Sequence, residues 1–206
     1  MSRPGRRIEP SSRPPSTSAC ACELAICLPG LDIDTDLRWE LVIARAALLA
    51  ASDDEIDDEI AAALGLDDTA KGRRLAETAR AARPDQSVKD AAWHRVVADP
   101  TLSNDVARAI AEGWRRTSDP ALLGAIVDEY FANLQRVWSE RGFTMASLIV
   151  KRLFPAPLIT AEVADTARAW LDANPTPAPL HRLVSENLDE LERALRARGC
   201  DAESLG

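Results

Sequence analysis

Residues 119–140 read DPALLGAIVDEYFANLQRVWSE, and this stretch decides the fold class. Asp119 offers a side chain that can cap a helix, and Pro120 suits the first helical position, where no backbone donor is needed. The apolar residues that follow recur every three or four positions, which is the spacing of one face of an α-helix. These residues are Leu123, Val127, Tyr130, Leu134 and Trp138. The stretch therefore predicts a long amphipathic helix.

The same periodicity extends in both directions from this stretch. After residue 30 the chain alternates apolar stripes of helical spacing with short turns marked by proline, glycine or a capping residue. No segment has the alternating pattern of a strand, so we predict an all-α protein of about nine helices. They lie near 37–48, 52–64, 68–82, 87–99, 103–114, 119–138, 144–153, 160–171 and 180–195. We predict that Ser52 and Glu55 form a capping box and that Gly65 ends the helix which they begin. The other predicted capping residues are Asp34 to Asp36, Ser87, Ser103 and Thr160.

The arrangement of these helices follows from the connections between them. Short connections place consecutive helices antiparallel to each other. Successive helical hairpins without one central bundle predict a superhelical stack of the HEAT or armadillo kind. The sequence has no fixed repeat period, so the stack is expected to be irregular.

The first 30 residues differ in composition from the rest of the chain. They are rich in Arg, Ser and Pro, and such a segment cannot bury enough apolar surface to order itself. We predict a disordered tail at 1–30 and a single helical domain at 31–206. Transit peptides share an Arg- and Ser-rich, acid-poor composition, but the prolines oppose the amphipathic helix that they need.

Charge and hydropathy exclude several classes of protein. The net charge is −8, which is unfavourable for a protein that must neutralise phosphates, so we predict no nucleic-acid partner. The longest apolar run is too short to span a bilayer, and we predict no membrane association. No signal peptide is recognisable, which makes a cytoplasmic location the default prediction.

Metal-binding and catalytic motifs are absent from the sequence. A zinc peptidase helix needs His-Glu-x-x-His, because positions i and i+4 place both imidazoles on one face. His94 and His181 are the two histidines, and neither begins that motif. Cys20, Cys22 and Cys27 lie in the predicted tail without a fourth ligand nearby. We predict no catalytic residue, no metal site and no cofactor in this chain.

Lys151 and Arg152 form a basic pair near the predicted end of a helix. Cations at a helix C-terminus stabilise it against the helix dipole, which explains the pair without any ligand. The alternative is a basic spot that faces an anionic group, such as the carboxylate of a peptide. Both interpretations stay open at this point.

An ordered set of short segments resembles a known family. The segments are LRWEL (37–41), TARAARPD (78–85), KDAAW (89–93), LSN (102–104), YF (130–131), VW (137–138), LFP (153–155), AWL (169–171) and RALRAR (193–198). Together they cover about residues 36–198, and in this order and spacing they resemble the helical C-terminal domain of bacterial, in particular actinobacterial, aminopeptidase N.

This resemblance implies a role inside a zinc metallopeptidase that removes N-terminal residues from peptides. In that family a separate catalytic domain holds zinc and the substrate's amine, and the helical domain encloses the peptide. The resemblance therefore implies two partners, a peptide substrate and an aminopeptidase catalytic domain, and a chain that is a fragment or split product, not catalytic alone. The alternative is a free-standing helical-repeat module that binds a peptide or a protein partner.

The start of the predicted stack has no capping repeat before it. Solenoids shield their ends with polar capping repeats, so an uncapped first hairpin exposes an apolar face. We predict self-association through an apolar end centred on Leu37, Leu41, Ile43 and Leu48.

Overall fold

A computed structural model describes the backbone of residues 33–48 and 52–204 and the side chains up to residue 200. Within these ranges the chain forms nine α-helices, one 3-10 helix and no strand, so the all-α prediction is confirmed. In chain order they are α1 (Thr35–Ala46), α2 (Asp53–Leu66), α3 (Ala70–Ala82), α4 (Gln86–Ala98), α5 (Asn104–Arg115), the 3-10 helix (Pro120–Ile126), α6 (Val127–Glu140), α7 (Phe143–Arg152), α8 (Ala161–Ala173) and α9 (Ala178–Ser204).

The odd-numbered helices form one row of the stack. In this row α1 packs on α3, α3 on α5, α5 on α7 and α7 on α9. The even-numbered helices cover the row: α2 and α4 each pack on both of their chain neighbours, α6 packs on α7 and α8, and α8 packs on α9. The predicted stack of antiparallel hairpins is confirmed, and its alternation makes all helices of the odd row run in the same direction.

Capping side chains set most of the helix starts. Asp34 accepts a hydrogen bond from the backbone N–H of Leu37, as predicted for the first helix. Ser52 and Glu55 form a complete capping box at α2, as predicted. The hydroxyl oxygens of Ser103 and Thr160 accept the backbone N–H groups of Val106 and Val163 and so cap α5 and α8. The polar residues before these apolar stripes therefore define where the helices begin.

Two helix boundaries differ from the prediction. Ser87 does not cap α4, because Asp85 accepts the backbone N–H of Val88 and the helix begins at Gln86. Gly65 does not stop α2, which continues to Leu66. A glycine ends a helix when it adopts a positive φ, and Gly65 keeps a negative one.

The segment 119–140 contains two helical elements where one was predicted. Asp119 caps it and Pro120 occupies the first position, as predicted, but Pro120–Ile126 is a 3-10 helix that passes into α6 at Val127. Side chains three residues apart align on one face of a 3-10 helix. Leu123 and Ile126 are both buried on that face, which accounts for the tighter winding.

Buried apolar residues form two separate clusters. The larger one runs from the end of α3 to α9 and contains a chain of aromatic rings. Its rings contact each other at centroid distances of 5.0–6.5 Å. They belong to Trp93, Trp114, Tyr130, Phe131, Phe154 and Trp170. The smaller cluster joins α1 and α2 to one face of α3 and is centred on Trp39.

The buried face of α1 includes one residue of the apolar end that we predicted to be exposed. It consists of Trp39, Val42, Ile43 and Ala46. Ile43 is therefore a core residue with 1% of its surface exposed, and its place in the predicted apolar end is wrong. Both stripes have helical spacing, and the one that contains tryptophan buries more apolar area. Leu48 is 53% exposed, whereas Leu37 and Leu41 are half-buried.

Helices α3 and α5 of the odd row approach each other closely at Gly113. A Cβ atom added to Gly113 of α5 would lie 2.0 Å from the carbonyl oxygen of Thr78 on α3. Thr78 is buried, and its hydroxyl donates a hydrogen bond to the carbonyl oxygen of Ala109 at 2.9 Å. The absence of a side chain at Gly113 thus sets the spacing between α3 and α5.

We expect Gly113→Ala to lower the free energy of unfolding by about 1–3 kcal/mol, because the added methyl group forces the two backbones apart. Gly65→Ala is the matched control: nothing lies within 4 Å of the added atom. It should raise the free energy of unfolding by about 0.5 kcal/mol, since alanine favours helix. Urea unfolding of both variants measures the difference. Equal effects would show that the contact at Gly113 does not limit helix packing.

Candidate functional site

Lys151 and Arg152 occupy the last turn of α7, the fourth helix of the odd row. The structure sends them to different neighbours. The Lys151 ammonium lies 2.8 Å from a carboxylate oxygen of Glu186 on α9. The Arg152 guanidinium lies 3.8 Å from a carboxylate oxygen of Glu112 on α5. The predicted basic pair is therefore divided between the two sides of α7.

These two contacts belong to a series of exposed ion pairs that connects the whole odd row. Each pair of adjacent helices in the row has one such bridge. Exposed pairs of this kind contribute about 0–1 kcal/mol each to the free energy of unfolding, so they stabilise the fold only slightly. In order along the row they are Asp36–Lys71, Arg74–Asp105, Glu112–Arg152 and Lys151–Glu186.

A groove of about 420 Å³ lies on the same surface. Residues of α3, α5 and α7 form its walls, and Arg152 lies at one end of it. Its charged side chains are four cations and two acids. They are Lys71, Arg74, Arg108, Arg152, Asp105 and Glu112.

A buried lysine bridges the C-terminal ends of α3 and α5. Lys89 on α4 is fully buried, with 0% of its surface exposed. Its ammonium donates hydrogen bonds to the carbonyl oxygens of Ala81 at 2.7 Å and Gly113 at 3.5 Å, in the last turns of α3 and α5. Burial lowers the pKa of Lys89 to about 7. Without access to solvent, this amine serves the fold and not a ligand.

A second buried polar group closes the end of α7. The hydroxyl of Tyr130 donates to the carbonyl oxygen of Val150 at 2.7 Å, and the amide of Asn187 donates to the same oxygen at 2.9 Å. Burial raises the pKa of Tyr130 far above its usual value, so the phenol stays neutral. Like Lys89, these side chains satisfy helix C-terminal carbonyls that face away from water.

The histidines lie apart from each other. His94 is on α4 beside Glu129, at 3.6 Å, and His181 is on α9. Across residues 33–48 and 52–204 there is no group of three or more His, Cys, Asp or Glu side chains arranged to hold a metal ion. The cysteines of the predicted tail lie outside the described residues. The side chains that the structure describes do not fit a zinc site.

Comparison of the sequence with known proteins shows the family of this chain. The model of the ERAP1-like C-terminal domain matches residues 23–193. The chain belongs to this family. It is also 42% identical over 175 residues to a protein named aminopeptidase N from Streptomyces lividans. The resemblance found in the sequence is thereby confirmed: the chain corresponds to a C-terminal domain of an aminopeptidase N-like protein.

The aligned region covers 85% of this chain but 20% of the Streptomyces lividans protein. The chain thus spans about a fifth of the length of this relative. The family match begins at residue 23, before the boundary at residue 31 that we predicted for the domain. Among the helices that the structure describes, none combines the length and the apolar character needed to cross a membrane.

Sequence reasoning missed the role of Lys89 in this ERAP1-like C-terminal domain. The signal was present, because Lys89 precedes Ala92, Trp93 and Val96 by three, four and seven positions and so lies on the buried stripe of α4. A lysine on such a stripe must either reach water or find acceptors inside the protein. The acceptors are carbonyls of other helices, which the sequence does not display.

We expect the stability contributed by position 89 to depend on pH. The folded pKa is about 7 and the ordinary value is 10.5, so between these values the unfolded chain binds a proton that the folded chain lacks. Stability therefore rises with pH across this window, by at most about 1.4 kcal/mol per unit, and is independent of this group below it. Urea unfolding of wild type and Lys89→Met at pH 6, 8 and 10 measures the difference.

Lys71→Met is the matched control for this experiment, because Lys71 is an exposed lysine that pairs with Asp36. That pairing raises the pKa of Lys71, so its contribution is lost as the pH rises above about 10.5. A wild-type advantage over Lys89→Met that does not increase between pH 6 and 10 would refute the assignment.

Proposed function

We propose that this chain is the substrate-enclosing, non-catalytic domain of an aminopeptidase N-like zinc metallopeptidase that removes N-terminal residues from peptides. The observation that carries the proposal is the 42% identity to a protein named aminopeptidase N, over a region that matches an ERAP1-like C-terminal domain. The domain would act beside a catalytic domain that supplies zinc. There, zinc-activated water would attack the scissile peptide bond.

The structure of the domain supports a role in enclosing the substrate and not in catalysis. Its interior is filled by aromatic rings, and the buried polar side chains of Lys89 and Asn187 already have hydrogen-bond partners within the fold. Its charged groups lie on the surface of the odd row, where they can meet a peptide. We propose that this row faces the substrate chamber, that the chain is a fragment or split product, and that it works in the cytoplasm.

Within this function we propose that Lys151 and Arg152 contact the peptide. Both ammonium and guanidinium groups are half exposed, with 48% and 43% of their side-chain surface accessible. Their carboxylate partners, Glu186 and Glu112, are exposed as well, and exposed pairs of this kind are weak. A peptide carbonyl or carboxylate can therefore accept a hydrogen bond from either group without breaking a strong interaction.

A chimeric enzyme tests the function. The segment of the Streptomyces lividans protein that matches this chain is replaced by residues 31–206, and hydrolysis of leucine and alanine amides and of longer peptides is measured. We expect the chimera to retain zinc-dependent hydrolysis, and a variant that lacks the segment to lose discrimination between peptides. The isolated chain, assayed with and without zinc, is expected to be inactive.

Two outcomes would refute this proposal. A folded chimera without peptide hydrolysis would show that the chain does not enclose that active site. Zinc-dependent turnover by the repurified isolated chain would show that it holds a catalytic site of its own. A chain that leaves the chimera inactive but binds peptides alone would be a free-standing interaction module.

The double variant Lys151→Gln/Arg152→Gln tests the peptide contact in the active chimera. We expect KM for peptides to rise about fivefold, equivalent to about 1 kcal/mol, with kcat little changed, because the contact is made before and during the reaction alike. Arg136→Gln is the matched control, since Arg136 forms a similar exposed pair with Glu140 on α6. An equal KM in all three enzymes would place the peptide elsewhere.

A further inference from the structure

We propose that residues 23–32 of this chain pack against α1 and cover an apolar stripe on its outer side. The outer stripe consists of Leu37, Leu41, Ala44 and Leu48. The proposal goes beyond the proposed function and does not rest on it, because it concerns how the first helix of the row is covered and not what the domain encloses. It names one occupant, a segment of the same chain, for a surface that a second copy could otherwise cover.

Helix α1 is apolar on two opposite sides. Its buried side, which includes Trp39 and Ile43, packs against α2 and α3. At about 100° per residue, Leu37, Leu41 and Ala44 lie within about 60° of each other on the opposite side. Ala44 is exposed, and the two leucines are half-buried. A surface helix of a globular protein normally has one apolar side, so the second one indicates a further contact.

The position of α1 in the odd row explains why the outer stripe needs a partner. Helices α3, α5 and α7 each lie between two other helices of the row, whereas α1 is the first helix of the row among the described residues and packs on α3. Leu48, which follows the end of α1, is 53% exposed. Removal of such apolar surface from water stabilises the folded chain.

The segment before α1 has the composition and the length to cover the outer stripe. Residues 24–28 read LAICL, an apolar run without charge. Five extended residues span about 16 Å, and the stripe from Leu37 to Leu48 also spans about 16 Å. Pro29 and Gly30 follow the run, and this pair is typical of a turn. The turn allows the run to fold back along α1 in the opposite direction.

The family match includes the same segment in the domain. The match to the ERAP1-like C-terminal domain begins at residue 23 and so contains residues 23–32, which precede the first described helix. The residues before it, rich in Arg, Ser and Pro, lie outside the match. A segment joined directly to α1 has a higher effective concentration at the outer stripe than a second copy in solution. We therefore assign the stripe to this segment and move the start of the domain from the predicted residue 31 to residue 23.

Disulfide trapping in the full chain tests the proposal. Cys27 lies within the segment, so a second cysteine on the outer stripe can report their distance once Cys20, Cys22 and Cys200 are replaced by serine. In this background we expect Leu41→Cys to form a disulfide with Cys27 within one chain, because a disulfide needs its two Cα atoms within about 7 Å. Mild oxidation followed by mass spectrometry of the digested monomer measures the rate.

Glu40→Cys in the same background is the matched control. Glu40 precedes Leu41, is exposed, and lies about 100° away from it around α1. The two positions differ by one residue in their separation from Cys27, so a segment that does not pack would link to both at similar rates. We expect the link to position 41 to form at least tenfold faster, after each rate is normalised to the reactivity of the thiol with a small disulfide.

Two results of this experiment overturn the proposal. Equal rates at positions 40 and 41 would show that the segment does not cover the outer stripe. Disulfides formed mainly between chains, at a rate that rises with protein concentration, would show that a second copy covers it.

A charged variant of the segment provides an independent measurement. Leu24→Asp/Leu28→Asp places two carboxylates at the proposed contact and should speed amide hydrogen exchange in α1 at least fivefold, because it removes the cover. Ser16→Asp/Ser18→Asp adds the same charge outside the family match and is the matched control. Exchange in α1 that is the same in both variants overturns the proposal.

Discussion

The parallel alignment of α1, α3, α5, α7 and α9 is the constraint on which the rest of the structure depends. Parallel helices bring their C-terminal carbonyl groups to the same edge, where unsatisfied acceptors and negative dipole ends lie side by side. The ammonium of Lys89 bridges the ends of α3 and α5, and Tyr130 with Asn187 closes the end of α7. Because these groups are buried, side chains and not water satisfy carbonyl oxygens at the ends of α3, α5 and α7.

The same alignment separates the buried polar groups of the odd row from its exposed ion pairs. The helices are held by the buried polar groups and by the close contact at Gly113. The exposed ion pairs contribute little to stability. The fold therefore depends little on the exposed charges of this surface.

The sequence predicted the parts of this structure that depend on neighbours in the chain. The caps at Asp34, Ser52, Ser103 and Thr160 and the nine helical stretches follow from local hydrogen bonding and periodicity. The errors arose where distant residues decide. On α1, two apolar stripes compete, and packing against α2 and α3 selects the one that contains Trp39. The acceptors of Lys89 and the walls of the groove come from helices far apart in sequence, so no local pattern reveals them.

The division of the core into two clusters has a consequence for cooperativity. The cluster around Trp39 is shared by α1, α2 and one face of α3, whereas the cluster of aromatic rings runs from the end of α3 to α9. In a stack whose helices contact only near neighbours, stability is a sum of local terms. We therefore expect α1 and α2 to undergo amide hydrogen exchange as a separate unit. They can undock from α3 and expose their amides to solvent while the remainder of the domain stays folded.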